Sequence, residues 1–149
     1  MNTITVPIPT REMNRQWLEI AWRAFVIWLV IIGAEFIHGI LRVLLLEPRV
    51  GDFRARQIAV FSGAMIICTI AFIFVHWLKA CRITELLFIG VFWLVLTIAF
   101  ELILGRAILG LSWERVLSDY DLMHGGLLPF GMLILMFSPY IAGKLRGIV

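Results

Sequence analysis

Four continuous apolar stretches decide what this chain can fold into. They run from about Trp22 to Leu46, Ile58 to Leu78, Leu86 to Leu104 (or on to Leu111) and Leu122 to Ala142. A helix rising 1.5 Å per residue needs about 20 apolar residues to cross a hydrocarbon layer, and each stretch meets that length. An outer-membrane barrel would instead show segments of about ten residues with alternating polarity. Helices also satisfy every backbone donor and acceptor internally, as lipid requires. The expected fold is therefore all-α: an integral membrane four-helix bundle forming a single domain over residues 1–149.

Composition supports the same choice of solvent. The chain is 62% hydrophobic and 15% charged. Folded in water, so short a chain would have to expose far too much of that apolar surface. The formal charge of +3 could suggest nucleic acid. No cluster of Lys and Arg carries interleaved aromatics, however, and arginines flanking membrane spans give the same balance, so no nucleic-acid partner is expected. Residues 1–16 read as a cytoplasmic N-terminal tail and not as a cleavable signal, because Arg11, Glu12 and Arg15 precede an apolar run that is too long and lacks a small-residue cleavage site. Cys68 and Cys81 fall at different levels of the bundle and do not suggest a disulfide.

Local signals set the expected boundaries. Glu47-Pro48 should end the first helix, since a residue before proline avoids the helical region. Thr84-Glu85 suits the start of the third, and Asp121 is placed to cap the fourth. Pro129, among Gly125, Gly126 and Gly131, should kink that fourth helix. Between Gly105 and Asp121, Leu109, Trp113, Val116, Leu117 and Tyr120 recur at helical spacing. They suit a short interfacial helix before the fourth span, with an ordinary apolar loop as the alternative.

An even number of spans puts both termini on one side. The slight excess of Lys and Arg there favours the cytoplasm, in a bacterial inner membrane. Glu35-Phe-Ile-His-Gly39 and Glu101-Leu-Ile-Leu-Gly105 share Glu-x-Ile-x-Gly at a separation of 66 residues. Two parallel helical-hairpin repeats would put Glu35 and Glu101 at similar depth.

The ionisable residues inside the spans carry the functional question. Glu35, His38 and Arg42 are spaced by three and then four residues, so they share one face of the first helix. Each costs about 2.5–3.5 kcal/mol at the centre of a span, so that face must look into the bundle, at a partner or at water. Together with Glu101 they form the candidate polar intramembrane site: a proton-exchanging or ligand-binding centre on one reading, a purely structural network on the other. Ala55, Ala59 and Gly63 form a small-residue stripe suited to close helix contact. Arg49, Arg54 and Arg56 in the first outer loop could hold an anionic ligand or lipid headgroups.

His38 and His124 are the histidines placed on the same side, which raises haem ligation between helices as a further option. No ligand spacing suggests zinc or another metal. No Gly-x-Ser-x-Gly, phosphate loop or His-Glu-x-x-His appears, so no catalytic residue is assigned and an enzyme is not expected. Two readings stay open. One is a small transporter or proton-coupled membrane component, needing a homo-oligomer to enclose a path. The other is an accessory or cofactor-binding subunit, for haem or quinone, whose polar stripe docks on a partner membrane subunit.

Overall fold

The structure of the protein is a computed structural model that describes residues 10–149. Residues 1–9 of the expected tail lie outside the described residues. Thr10–Gln16 are already helical, as the first turns of α1. The described residues are helical with no strands, and four helices are long and apolar enough to cross a membrane.

The first rod comprises α1 (Thr10–Leu41), a π-helical turn (Arg42–Leu46) and α2 (Glu47–Val50). Pro48 does not end it. In a regular helix the proline ring would collide with the carbonyl of Leu44, but Leu44 lies in the π-turn, where the Glu47 N–H reaches back to the Arg42 carbonyl. The wider turn absorbs the proline, and the chain breaks only at Gly51, whose φ of 85° favours glycine.

The second rod is α3 (Asp52–Phe74), closed by a 3₁₀ turn (Val75–Leu78). The third is α4 (Ile83–Leu102), which also ends in a π-helical turn (Ile103–Ile108). Arg82, not Thr84, stands at the start of α4. The cap comes from Glu85, which accepts from the backbone N–H groups of Cys81 and Arg82 at 2.8 and 3.1 Å. The short helix α5 (Trp113–Ser118) follows, capped by the Ser112 hydroxyl.

The fourth rod, α6 (Leu128–Leu145), starts later than Leu122. Asp121 caps only a 3₁₀ turn, Leu122–His124, which stops at Gly125 with φ 87°. Pro129 therefore lies in the first turn of α6, where its missing N–H costs nothing, and not at a kink.

The rods form a square, with α1 and α6 each packed on both α3 and α4. Consequently α1 runs parallel to α4, and α3 to α6. Three hydrogen bonds hold α1 to α4 in one register: Gln16 to Glu85, the Trp93 indole to the Ala24 carbonyl, and the Trp28 indole to Thr97. Each joins residues 69 apart in sequence. Ile20, Ile27, Ile31, Leu86, Ile89 and Trp93 fill the interior around these bonds.

Contact between α4 and α6 is closest at Gly90, where a Cβ atom would lie 1.8 Å from the Met136 carbonyl oxygen. Gly90→Ala should cost about 3 kcal/mol of stability, because backbone and not a side chain must move. Gly33→Ala, with open space around its Cβ, should change stability by less than about 0.5 kcal/mol. Chemical unfolding of both variants in detergent checks the contrast.

Candidate functional site: a polar cavity at one end of the bundle

Beyond the Trp28–Thr97 bond the helices part. A cavity of about 660 Å³ occupies the half of the bundle nearer α5. Glu35, His38, Arg42 and Glu101 all line it. With the register carried one more turn, Glu101 is level with Ile32, so Glu35 lies about one turn nearer the α5 end.

Glu35 rests against α3. A Cβ atom on Gly63 would come within 2.9 Å of Glu35 Oε2, so the small residue makes room for the carboxylate. His38 Nδ1 lies 3.3 Å from the same oxygen, and His38 Nε2 lies 2.8 Å from Ser62 Oγ. A neutral imidazole has one donor and one acceptor nitrogen, which permits two arrangements. In one, Ser62 donates to Nε2 and the Nδ1 proton points at Glu35. In the other, Ser62 donates to the Ala59 carbonyl at 3.3 Å, Nε2 donates to Ser62, and Glu35 in its protonated form donates to Nδ1. The second arrangement holds one proton more than the first, so passing between them takes up or releases one proton at the carboxyl–imidazole pair with little movement of either side chain. Across the cavity the Tyr120 hydroxyl donates to Glu101 Oε2 at 3.2 Å.

Nearer α5 the cavity is rimmed by an ion-pair network. Asp52 faces Arg42, Arg56 and Arg115 at 3.7, 3.4 and 3.3 Å, and Asp119 faces Arg56 and Arg115 at 3.2 and 3.5 Å. The network ties the π-turn after α1, the start of α3 and α5 together. Burial pushes the Asp119 carboxyl above the ordinary aspartate range, although Arg115 beside it pulls the other way. Acidification therefore neutralises Asp119 earlier than a free aspartate, leaving the arginines in greater excess.

Of the loop arginines, only Arg56 reaches the cavity. Arg49 and Arg54 are exposed and do not line it. His124 does not line it either: its side chain is 83% exposed and its Nδ1 lies 2.6 Å from Asp121 Oδ2. The structure does not bring His38 and His124 together, because the turn at Gly125 leaves His124 outside the bundle. Asp52, Arg115, Asp119 and Tyr120 belong to the site but were not expected there. Arg115 in α5 and Asp119 just past its end stand four residues apart, which is the sequence signal that pairs them. Compared with known proteins, the chain matches no family model, no curated protein and no solved structure.

The Trp28–Thr97 pair, with donor and acceptor 2.9 Å apart and both side chains buried, forms the floor of the cavity. Trp28→Phe should cost about 2 kcal/mol by leaving the Thr97 hydroxyl unpaired, and adding Thr97→Val should recover part of that loss. A double-mutant cycle measured by detergent unfolding tests this. Strictly additive losses would show that the bond contributes nothing.

Proposed function

We propose that the chain is an integral membrane protein whose cavity exchanges protons with one side of the membrane, as a small transporter or a proton-coupled membrane component. The membrane part of the reading draws on the outward faces of the rods, where exposed Leu29, Phe36, Leu44, Phe61, Met65 and Val95 leave few polar side chains. Cation–aromatic pairs mark both ends. Arg23 stands over Trp77 and Arg146 over Phe72 at one, Arg106 over Trp113 at the other, a pairing of cation and aromatic that suits membrane interfaces. The end carrying both Arg23 and Arg146 is the cytoplasmic one in this reading, with the inner membrane of a bacterium as host.

One observation carries the proton part. Among the described residues, the buried side-chain polar atoms that lack a hydrogen-bond partner belong to Glu35, Arg42 and Arg56, and all three line the one cavity. A network kept only for packing would be expected to satisfy its own members. The Glu35–His38–Ser62 chain adds a carboxyl and an imidazole within hydrogen-bond reach of each other, both groups that can take up and return a proton.

A cofactor-binding subunit is the second reading, favoured by the cavity's size, which falls within the roughly 300–1,000 Å³ of small-molecule sites. Haem held between His38 and His124 loses support from the exposed position of His124.

Purified protein in liposomes loaded with a pH-reporting dye, and driven by an imposed membrane potential, tests the first reading. Wild type should carry protons well above empty liposomes. Glu35→Gln and Glu101→Gln should lower the flux at least about tenfold while circular dichroism and size-exclusion profiles stay unchanged. Flux equal to empty liposomes, or untouched by both substitutions, contradicts it. A visible absorption band that co-purifies with the protein would favour the cofactor reading.

A further inference from the structure

The cavity is not closed on all sides. Its lining runs from the arginines of the network to Phe36, Val43, Leu44 and Leu109, which are 45–65% exposed on the outer surface. These residues sit where α1 and α4 have parted and each continues into a π-turn, the bonded register having ended at Trp28–Thr97. The result is a side opening between two parallel rods, apolar along its edges and leading inward to a charged wall.

That wall has a cation too many. Arg42, Arg56 and Arg115 face only Asp52 and Asp119 within the network. The Nη1 of Arg42 and the Nε and Nη1 of Arg56 are buried and make no hydrogen bond, since the distances to Asp52 and Asp119 are charge contacts without suitable geometry. Buried guanidinium donors without acceptors are costly, and a planar fork of donors matches an oxyanion best. Glu35 lies seven residues, or about two turns, further in than Arg42, with His38 beside it, so it need not repel a group held at the arginines.

We infer that this opening admits an amphiphile with an oxyanionic head, the phosphate of an anionic phospholipid, which sits on Arg42 and Arg56 while an acyl chain leaves between α1 and α4 past Val43 and Leu44. The inference rests on the membrane placement proposed above but not on proton exchange, and it stands if the flux experiment fails.

Native mass spectrometry of the protein released from mixed micelles of phosphatidylglycerol and phosphatidylcholine tests it. Wild type should retain phosphatidylglycerol in preference. Arg42→Gln and Arg56→Gln should reduce that retention about tenfold or more, whereas the exposed pair Arg49→Gln and Arg54→Gln should leave it unchanged. Val43→Trp, which narrows the side opening without touching a charge, should also reduce it. If either glutamine variant fails to fold, Arg42→Lys and Arg56→Lys decide, since they keep the charge but lose the fork. Equal retention of the two lipids, equal loss in the Arg49 and Arg54 variants, or displacement of the lipid by inorganic phosphate alone would each overturn the inference. The last result would assign the site to a free anion.

Discussion

Glu35, Arg42, Arg56 and Glu101 are carried by rods whose remaining faces are apolar, and an unpaired charge buried in such surroundings costs several kcal/mol. Much of the architecture follows from that cost. The arginines gather two aspartates, Asp52 and Asp119, from separate elements. Asp119 comes from the segment that follows the third rod, so the network folds α5 back over the end of the bundle. Tyr120, next in the chain, is thereby delivered to Glu101.

The other half of the molecule is organised differently. From Gln16 to Thr97 the parallel rods α1 and α4 keep one register through two indole hydrogen bonds and a glutamine–glutamate contact. The interior there is filled by isoleucine, leucine and tryptophan. A dry, tightly packed half and an open, charged half therefore share the same four rods. The boundary between them is the Trp28–Thr97 pair, and any path through the bundle would have to disturb it.

Much of this arrangement was legible in the sequence, because it depends on local pattern. Long apolar runs specify the rods, and spacings of three and four place Glu35, His38 and Arg42 on one face. What was not legible depends on where the loops return. Pro48 looked like a terminus because nothing in the sequence announces a π-turn that can absorb it. Asp121 and Pro129 looked like parts of the fourth helix, yet Gly125, with its positive φ, breaks the chain between them and leaves His124 outside. Arg115 and Asp119 are more than sixty residues from Asp52 in sequence, and only the folded chain makes them its neighbours. Ser62 bonds to its own helix, as a serine within a helix usually does, and it also meets His38, which no local pattern announces.

The central claim is that a polar cavity lies between apolar rods and that water enters it from the α5 side alone, the side opening between α1 and α4 facing lipid. Cysteine accessibility tests it directly. In a background where Cys68 and Cys81 are replaced, single cysteines at Ala59, which lines the cavity, and at Phe61, which faces outward, would be treated with a charged, membrane-impermeant thiol reagent. The reagent would be added to vesicles of both orientations. The account predicts that the cysteine at position 59 reacts in the orientation exposing Trp113 and not in the other, while the cysteine at position 61 reacts in neither. Reaction at position 61, equal reaction at position 59 from both sides, or no reaction at position 59 at all would contradict it.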